Sequence, residues 1–221
     1  MEIKKNNPRI PLPPKKKRIR TIAKIILLWL IAFLFASITL ASLNTARKPA
    51  IYLYPTEDMM VNVKVNVNGL FFNDIPHYGE GWKVFVTKDG IIEGKYDYLF
   101  YEAALLHLDI PEKGWVVKYD QLENWFDEKL PKFGLNEKEK RQFVEYWIEE
   151  LPESNYYEIK LFDKKFVDEN LTLDISPKPE TIIRLLFHFK ALDENANIEE
   201  PIIVTPERKG FTVVEWGGIL R

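Results

Sequence analysis

From Ile25 to Leu43 the chain reads IILLWLIAFLFASITLASL, nineteen residues without a charge. At about 1.5 Å per residue, such a run approaches the roughly 30 Å hydrocarbon core of a bilayer. Only a helix lets a lone apolar segment satisfy its own backbone in lipid. The expectation is therefore one transmembrane helix over 25–43. Lys15, Lys16, Lys17, Arg18, Arg20 and Lys24 precede the run, and only Arg47 and Lys48 follow it closely. That asymmetry predicts a cytoplasmic N-terminus and an extracytoplasmic remainder, the topology of a single-pass cell-membrane protein. A cleaved signal peptide is the rival reading, but its apolar region is usually about 7–15 residues and ends in a small-x-small site. Thr39-Leu40-Ala41 and Asn44-Thr45-Ala46 fit that site poorly, so the sequence favours an uncleaved signal-anchor.

Charge divides the chain at the same place. Up to Lys48 there are eleven Lys or Arg and one acid, Glu2; from Pro49 onward, 20 basic and 32 acidic residues leave a charge near -12. The expected organisation is a basic, Pro-rich tail over 1–24, the span over 25–43, a linker over 44–49 and an outer domain over 50–221. The tail, with Pro8, Pro11, Pro13 and Pro14, suits extended backbone lying near anionic lipid, which makes the bilayer itself an expected partner. The acidic domain excludes nucleic acid as its ligand, because duplex affinity comes mainly from Lys and Arg on phosphates. With no cysteine in the chain, disulfides, thiolate metal sites and cysteine nucleophiles are excluded together.

Beyond the span the pattern is mostly of strands. Met60–Gly69 alternates strictly: Val61, Val63, Val65 and Val67 point one way and Asn62, Lys64, Asn66 and Asn68 the other. Such alternation fits an antiparallel sheet with one wet face. Short strands are also expected at Ala50–Tyr54, within WKVFVTKDGIIEG with its hairpin signal Asp89-Gly90, at KYDYLFY (Lys95–Tyr101) and at Gly114–Lys118, forming a meander, with NDIPHYGEG as a loop. From Asp120 the period turns helical. Leu122, Trp125, Phe126, Leu130 and Phe133 form one stripe, with Asp120 as the expected N-cap and Gly134 as the stop. A second helix starts at Asn136, with Glu139 completing a capping box, and carries Phe143, Val144, Trp147, Ile148 and Leu151. Strands return at Tyr156–Phe162, Leu171–Ile175, Thr181–Lys190, Ile202–Val204 and Phe211–Trp216. The expected fold class is α+β: one transmembrane helix, then a mainly antiparallel β domain with an αα-hairpin inserted at about 120–151.

No motif carries chemistry by itself. Ser154 and Ser176 are the only serines of the outer part and neither sits in a nucleophile elbow. His77, His107 and His188 are about 30 or more residues apart without metal-ligand spacing, so no metal and no cofactor is expected. Three carboxylates neighbour aromatic residues and are the candidate catalytic acids: Glu80, Glu102 and Glu215. A glycosidase would need two such groups roughly 5–10 Å apart around a sugar. HYGEGW and KYDYLFYE supply the candidate binding aromatics Tyr78, Trp82, Tyr96, Tyr98 and Tyr101, suited to stacking on a sugar or gripping a peptide. Asn170-Leu171-Thr172 is a sequon, making Asn170 the candidate glycosylation site.

KPAIYLYPTED, GEGWKVFVTKDG, YDYLFYEA, GWVVK and RKGFTVVEWGG together resemble a family of uncharacterised prokaryotic proteins that are exported or membrane-attached. The resemblance covers Lys48 to Gly218 and implies export topology and domain limits, with no activity to transfer. Where that family's aromatic strand runs Leu-Phe-Trp-Glu-Gly, this chain has Leu99, Phe100, Tyr101, Glu102 and Ala103. The functional expectation is a membrane-anchored envelope protein whose outer domain is a non-enzymatic binding module for envelope polysaccharide or another membrane or surface protein. The alternatives are a carboxylate-dependent hydrolase of envelope glycans and an accessory subunit of a membrane complex.

Overall fold

The computed structural model describes residues 23–32 and 44–221. The chain falls into two units, 1–40 and 41–221. In the first, helix α1 covers residues 23–32. Among the described residues no helix is long and apolar enough to cross a membrane. This corrects the expectation of a transmembrane helix over 25–43. The expected tail, apart from 23–24, and residues 33–43 of the expected span lie outside the described residues.

The second unit corrects the fold class too: it is mostly β-sheet with a few helices, in three layers. Its strands are β1 (Thr45–Tyr54), β2 (Met59–Val67), β3 (Gly69–Ile75), β4 (Trp82–Val86), β5 (Leu99–Leu105), β6 (Trp115–Lys118), β7 (Tyr156–Leu161), β8 (Leu171–Ser176), β9 (Thr181–Leu192) and β10 (Thr212–Leu220). Instead of one meander they form a seven-stranded sheet, ordered β3-β5-β1-β10-β9-β7-β6, and a three-stranded sheet, ordered β4-β2-β8. Every pairing is antiparallel except β9 with β10.

The large sheet is buried on both faces at its centre. On β1, Ile51 and Leu53 face the small sheet while Ala50 and Tyr52 face the helices. On β10, Val213 and Ile219 go one way, Val214 and Trp216 the other. Strands covered on both sides read as continuous apolar runs, which is why AIYLY and TVVEW do not alternate. The small sheet is covered once. Val61, Val63 and Val65 of β2 are buried and Asn62, Lys64 and Asn66 are exposed, as their alternation demands.

The helical layer consists of α2 (Leu122–Lys129) and α3 (Glu137–Glu150), joined through a 3₁₀ turn at Leu130–Phe133. Gly134 ends that turn at φ +93°, a conformation that favours glycine. At α3, Asn136 accepts from the Glu139 amide and the Glu139 side chain accepts from the Asn136 amide, so the capping box is formed. Asp120 is not the N-cap of α2; it lies in a 3₁₀ turn, Tyr119–Gln121, and Gln121 takes the cap position. Phe126, Phe143 and Trp147 are fully buried against Phe187, Phe189 and Trp216 of the sheet. At roughly 1.5–3 kcal/mol per large buried side chain, this interface holds the layer in place. A fourth helix, α4 (Lys164–Asn170), is capped by Asp163 and lies between β7 and β8.

Two local expectations also change. Part of the expected loop is strand β3, whose side chains Leu70, Phe72 and Ile75 are exposed. Ile202–Val204 is not a strand. It belongs to the crossover from β9 to β10, bracketed by Pro201 and Pro206, with Ile202 and Val204 almost fully exposed.

Candidate functional site

The three candidate acids occupy separate environments. Glu215 is sealed between the two sheets, where it accepts from the Tyr101 hydroxyl at 2.7 Å and from Arg184 Nε at 2.6 Å. Arg184 also donates to Asp168 at 3.0 Å and to the Leu171 carbonyl. Burial alone would lower the pKa of Arg184, but Glu215, Tyr101 and Asp168 together more than offset it and the guanidinium stays charged. Burial, with the Glu215 charge, pushes the Tyr101 hydroxyl well up. This is a satisfied strut joining β5, β9, β10 and α4. Glu102 points to the opposite face of β5 and accepts from Asn73 Nδ2 at 2.9 Å. Glu80 sits on an exposed turn before β4. No carboxylate pair forms around a shared cleft among these three.

The candidate aromatics divide in two. Tyr78, Trp82 and Tyr101 pack with Phe71 at ring-centroid distances of 4.7–6.5 Å. The Tyr78 hydroxyl bonds both the amide and the carbonyl of Val65, and the Trp82 indole donates to the Pro76 carbonyl at 2.7 Å. Tyr78 and Trp82 thereby hold the β3–β4 connection on the small sheet. Asn170 is buried too: its side chain donates to the Phe166 carbonyl and accepts from Asn68.

Tyr96 and Tyr98 face a cleft of about 270 Å³ lined by Lys48, Ile75, Lys95, Asp97, Phe100 and Gln142 as well. Lys48 is the residue that sequence reasoning missed. Between Arg47 and Ala50 the register of β1 shifts against both neighbours, and at that bulge Lys48 has φ +53°. Gly217 of β10 makes room for it, since a Cβ there would lie 3.1 Å from the Cα and N of Pro49. The bulge is the physical link between the KPA and WGG motifs. It aims the Lys48 ammonium at the Tyr98 hydroxyl, 2.7 Å away, and over the rings of Tyr98, Phe100 and Tyr146 at 4.8, 5.1 and 5.3 Å. The signal in the sequence is a Lys-Pro pair interrupting TARKPAIYLY.

A polar chain runs beside the cleft. Tyr52 donates to Gln142 Oε1 at 2.8 Å, Gln142 Nε2 donates to Asp97 at 2.9 Å, and Lys138 pairs with Asp97 at 2.5 Å. The Lys138 hydrogen bond holds the Asp97 carboxyl below its ordinary range. Strained backbone beside a cleft with convergent polar and aromatic groups is a recognised pointer to function. The other concavities offer less. One of about 340 Å³ is walled by Phe133, Ile182, Ile202 and Val204, and its arginine, Arg184, is already spent on Glu215. Another, of about 490 Å³ beside Tyr119 and Asn155, is shallow and polar.

His77 bonds Asp74 and His107 bonds Asp109, both at the surface, while His188 is buried within the sheet. Among the described residues no group of three or more His, Asp or Glu is placed to hold a metal ion.

No family model and no solved structure matches the chain. It is similar to a protein of Butyrivibrio fibrisolvens described as "Uncharacterized protein in bglA 3'region", 46% identical over 61 residues. That stretch is 25% of this chain and 64% of the relative, so less than two thirds of the relative's length is covered.

Proposed function

We propose that the 44–221 domain is a non-enzymatic binding module that holds a saccharide in the Lys48 cleft. The supporting observation is a contrast. Tyr96, Tyr98 and Phe100 share one cleft with Lys48, Asp97 and Gln142, whereas Glu80, Glu102 and Glu215 are dispersed. Sugar rings present an apolar face and a polar edge, and this cleft offers aromatic walls with donors and acceptors beside them. Of the partners expected from sequence, a polysaccharide is the one whose chemistry this cleft fits.

The test is calorimetric titration of the full chain with a panel of soluble oligosaccharides, run alongside product analysis. Binding without turnover is expected, weakened tenfold or more, about 1.4 kcal/mol, by Tyr98→Ala. Hydrolysis that disappears in Glu80→Gln, Glu102→Gln or Glu215→Gln would return the hydrolase alternative. Binding indifferent to Tyr98→Ala would remove the cleft from consideration.

A further inference from the structure

Resting on the saccharide reading, we propose that the Lys48 end of the cleft recognises a carboxylate, so that the ligand is an acidic sugar of the uronate type. Residues 44–221 hold 22 basic and 32 acidic side chains, an excess of ten negative charges, so a partly buried cation should find a carboxylate easily. Lys48 does not: among the described residues its ammonium is in no ion pair, and its hydrogen-bond acceptor is the neutral Tyr98 hydroxyl. Lys95, on the same cleft, is likewise outside any described ion pair and bonds Tyr96 at 3.4 Å. The acid of the cleft, Asp97, is already engaged by Lys138 and Gln142. An incoming ligand therefore meets two lysines outside any described ion pair and one carboxylate that is already engaged.

The donor geometry narrows the class. Lys48 Nζ keeps two N–H groups after its bond to Tyr98, and the Tyr98 oxygen, while accepting that bond, keeps its own hydrogen to donate. Two donors whose heavy atoms lie 2.7 Å apart match the paired oxygens of one carboxylate. The Phe100 and Tyr146 rings stand 5.1 and 5.3 Å from the ammonium, so its charge sits against aromatic surface. Holding Lys48 at φ +53° costs backbone energy that a residue needed only for packing would not require.

The experiment compares a uronate oligosaccharide with its carboxyl-reduced neutral parent and with a sulfated analogue, each titrated into the full chain. Panel members share linkage within each matched set. The acidic sugar is expected to bind at least tenfold tighter than its neutral parent, and Lys48→Met to abolish that preference. Lys48→Gly, which accepts the positive φ without strain, guards against misfolding and should behave as Lys48→Met does. Lys83→Met, on the exposed face of β4, should change nothing. Equal affinity for acidic and neutral sugars, or a preference surviving both Lys48 variants, overturns the carboxylate assignment but leaves the saccharide reading. Tighter binding of the sulfated analogue assigns the site to sulfate esters instead. Failure of every sugar to bind overturns both readings.

Discussion

His188 is buried to 1% exposure and neither ring nitrogen has a partner among the described residues. Burial lowers its pKa from the ordinary 6.5 to about 4, with Arg221, Lys160 and Lys190 adding to the effect and Glu158 opposing it. Between those values the unfolded chain binds a proton that the native state excludes, so this residue's contribution to stability falls as pH drops from about 6.5 toward 4. About 2 kcal/mol should be lost between pH 8 and pH 5 from this group. Replacing it by a leucine, which needs no partner, should leave stability at pH 8 unchanged or higher and shrink the pH 8 to pH 5 difference by about that amount. Denaturant titrations at the two pH values read it directly, and an identical pH difference in His188→Leu sinks the argument. Arg184 behaves oppositely, because it satisfies another charge. Arg184→Met strands Glu215 between the sheets and should cost about 3–5 kcal/mol, whereas Glu215→Gln keeps an acceptor and should cost less. Equal losses for the two variants would mean that the strut acts through packing alone.

At the scale of elements, the strands that were legible in sequence are those with one wet face or an unbroken apolar run. β2 and α3 show their periods plainly, and the capping box at Asn136 was readable from residue types alone. β3 was not, because Leu70-Phe71-Phe72 runs into Asn73, which takes φ +58° at a register shift, and then into Ile75-Pro76. Ile202–Val204 has strand composition but no partner strand. The β1 bulge was hidden because it needs a second element: only with β10 alongside does Gly217 explain how Lys48 and Pro49 fit. That dependence gives a prediction. Gly217→Ala places a Cβ 3.1 Å from Pro49 and should cost about 1–3 kcal/mol while displacing Lys48, so that preference for an acidic ligand falls with stability. Gly218→Ala, whose Cβ would meet the Trp147 ring at 2.5 Å, should destabilise by loosening α3 from the sheet. If Gly217→Ala keeps full ligand preference, the bulge does not position Lys48.

Across the whole molecule, alternation told which face of each strand is buried but not which strand lies next to it. Consecutive strands β2 and β3 belong to different sheets, and the parallel β9–β10 pair depends on a crossover of nineteen residues that Arg208 pins to Glu139 at 2.8 and 2.9 Å. The cleft inherits the same difficulty, since Lys48, Tyr98 and Gln142 come from three distant stretches of chain. Net charge, by contrast, was fully legible, and its placement yields a kinetic prediction. The domain is near -10 overall while the cleft presents Lys48 and Lys95, so an acidic sugar is repelled at a distance and attracted on contact. Screening reaches about 30 Å at 0.01 M salt and about 10 Å at 0.1 M. Raising salt across that range should relieve the long-range repulsion first and speed association, while weakening the Lys48 contact and speeding dissociation as well. The two changes partly cancel, so affinity should vary less with salt than either rate, and the neutral parent sugar should show neither trend. Stopped-flow measurements at several salt concentrations resolve both rates. Association that slows steadily with salt would show that the local field of the cleft, rather than the net charge of the domain, governs the approach of the ligand.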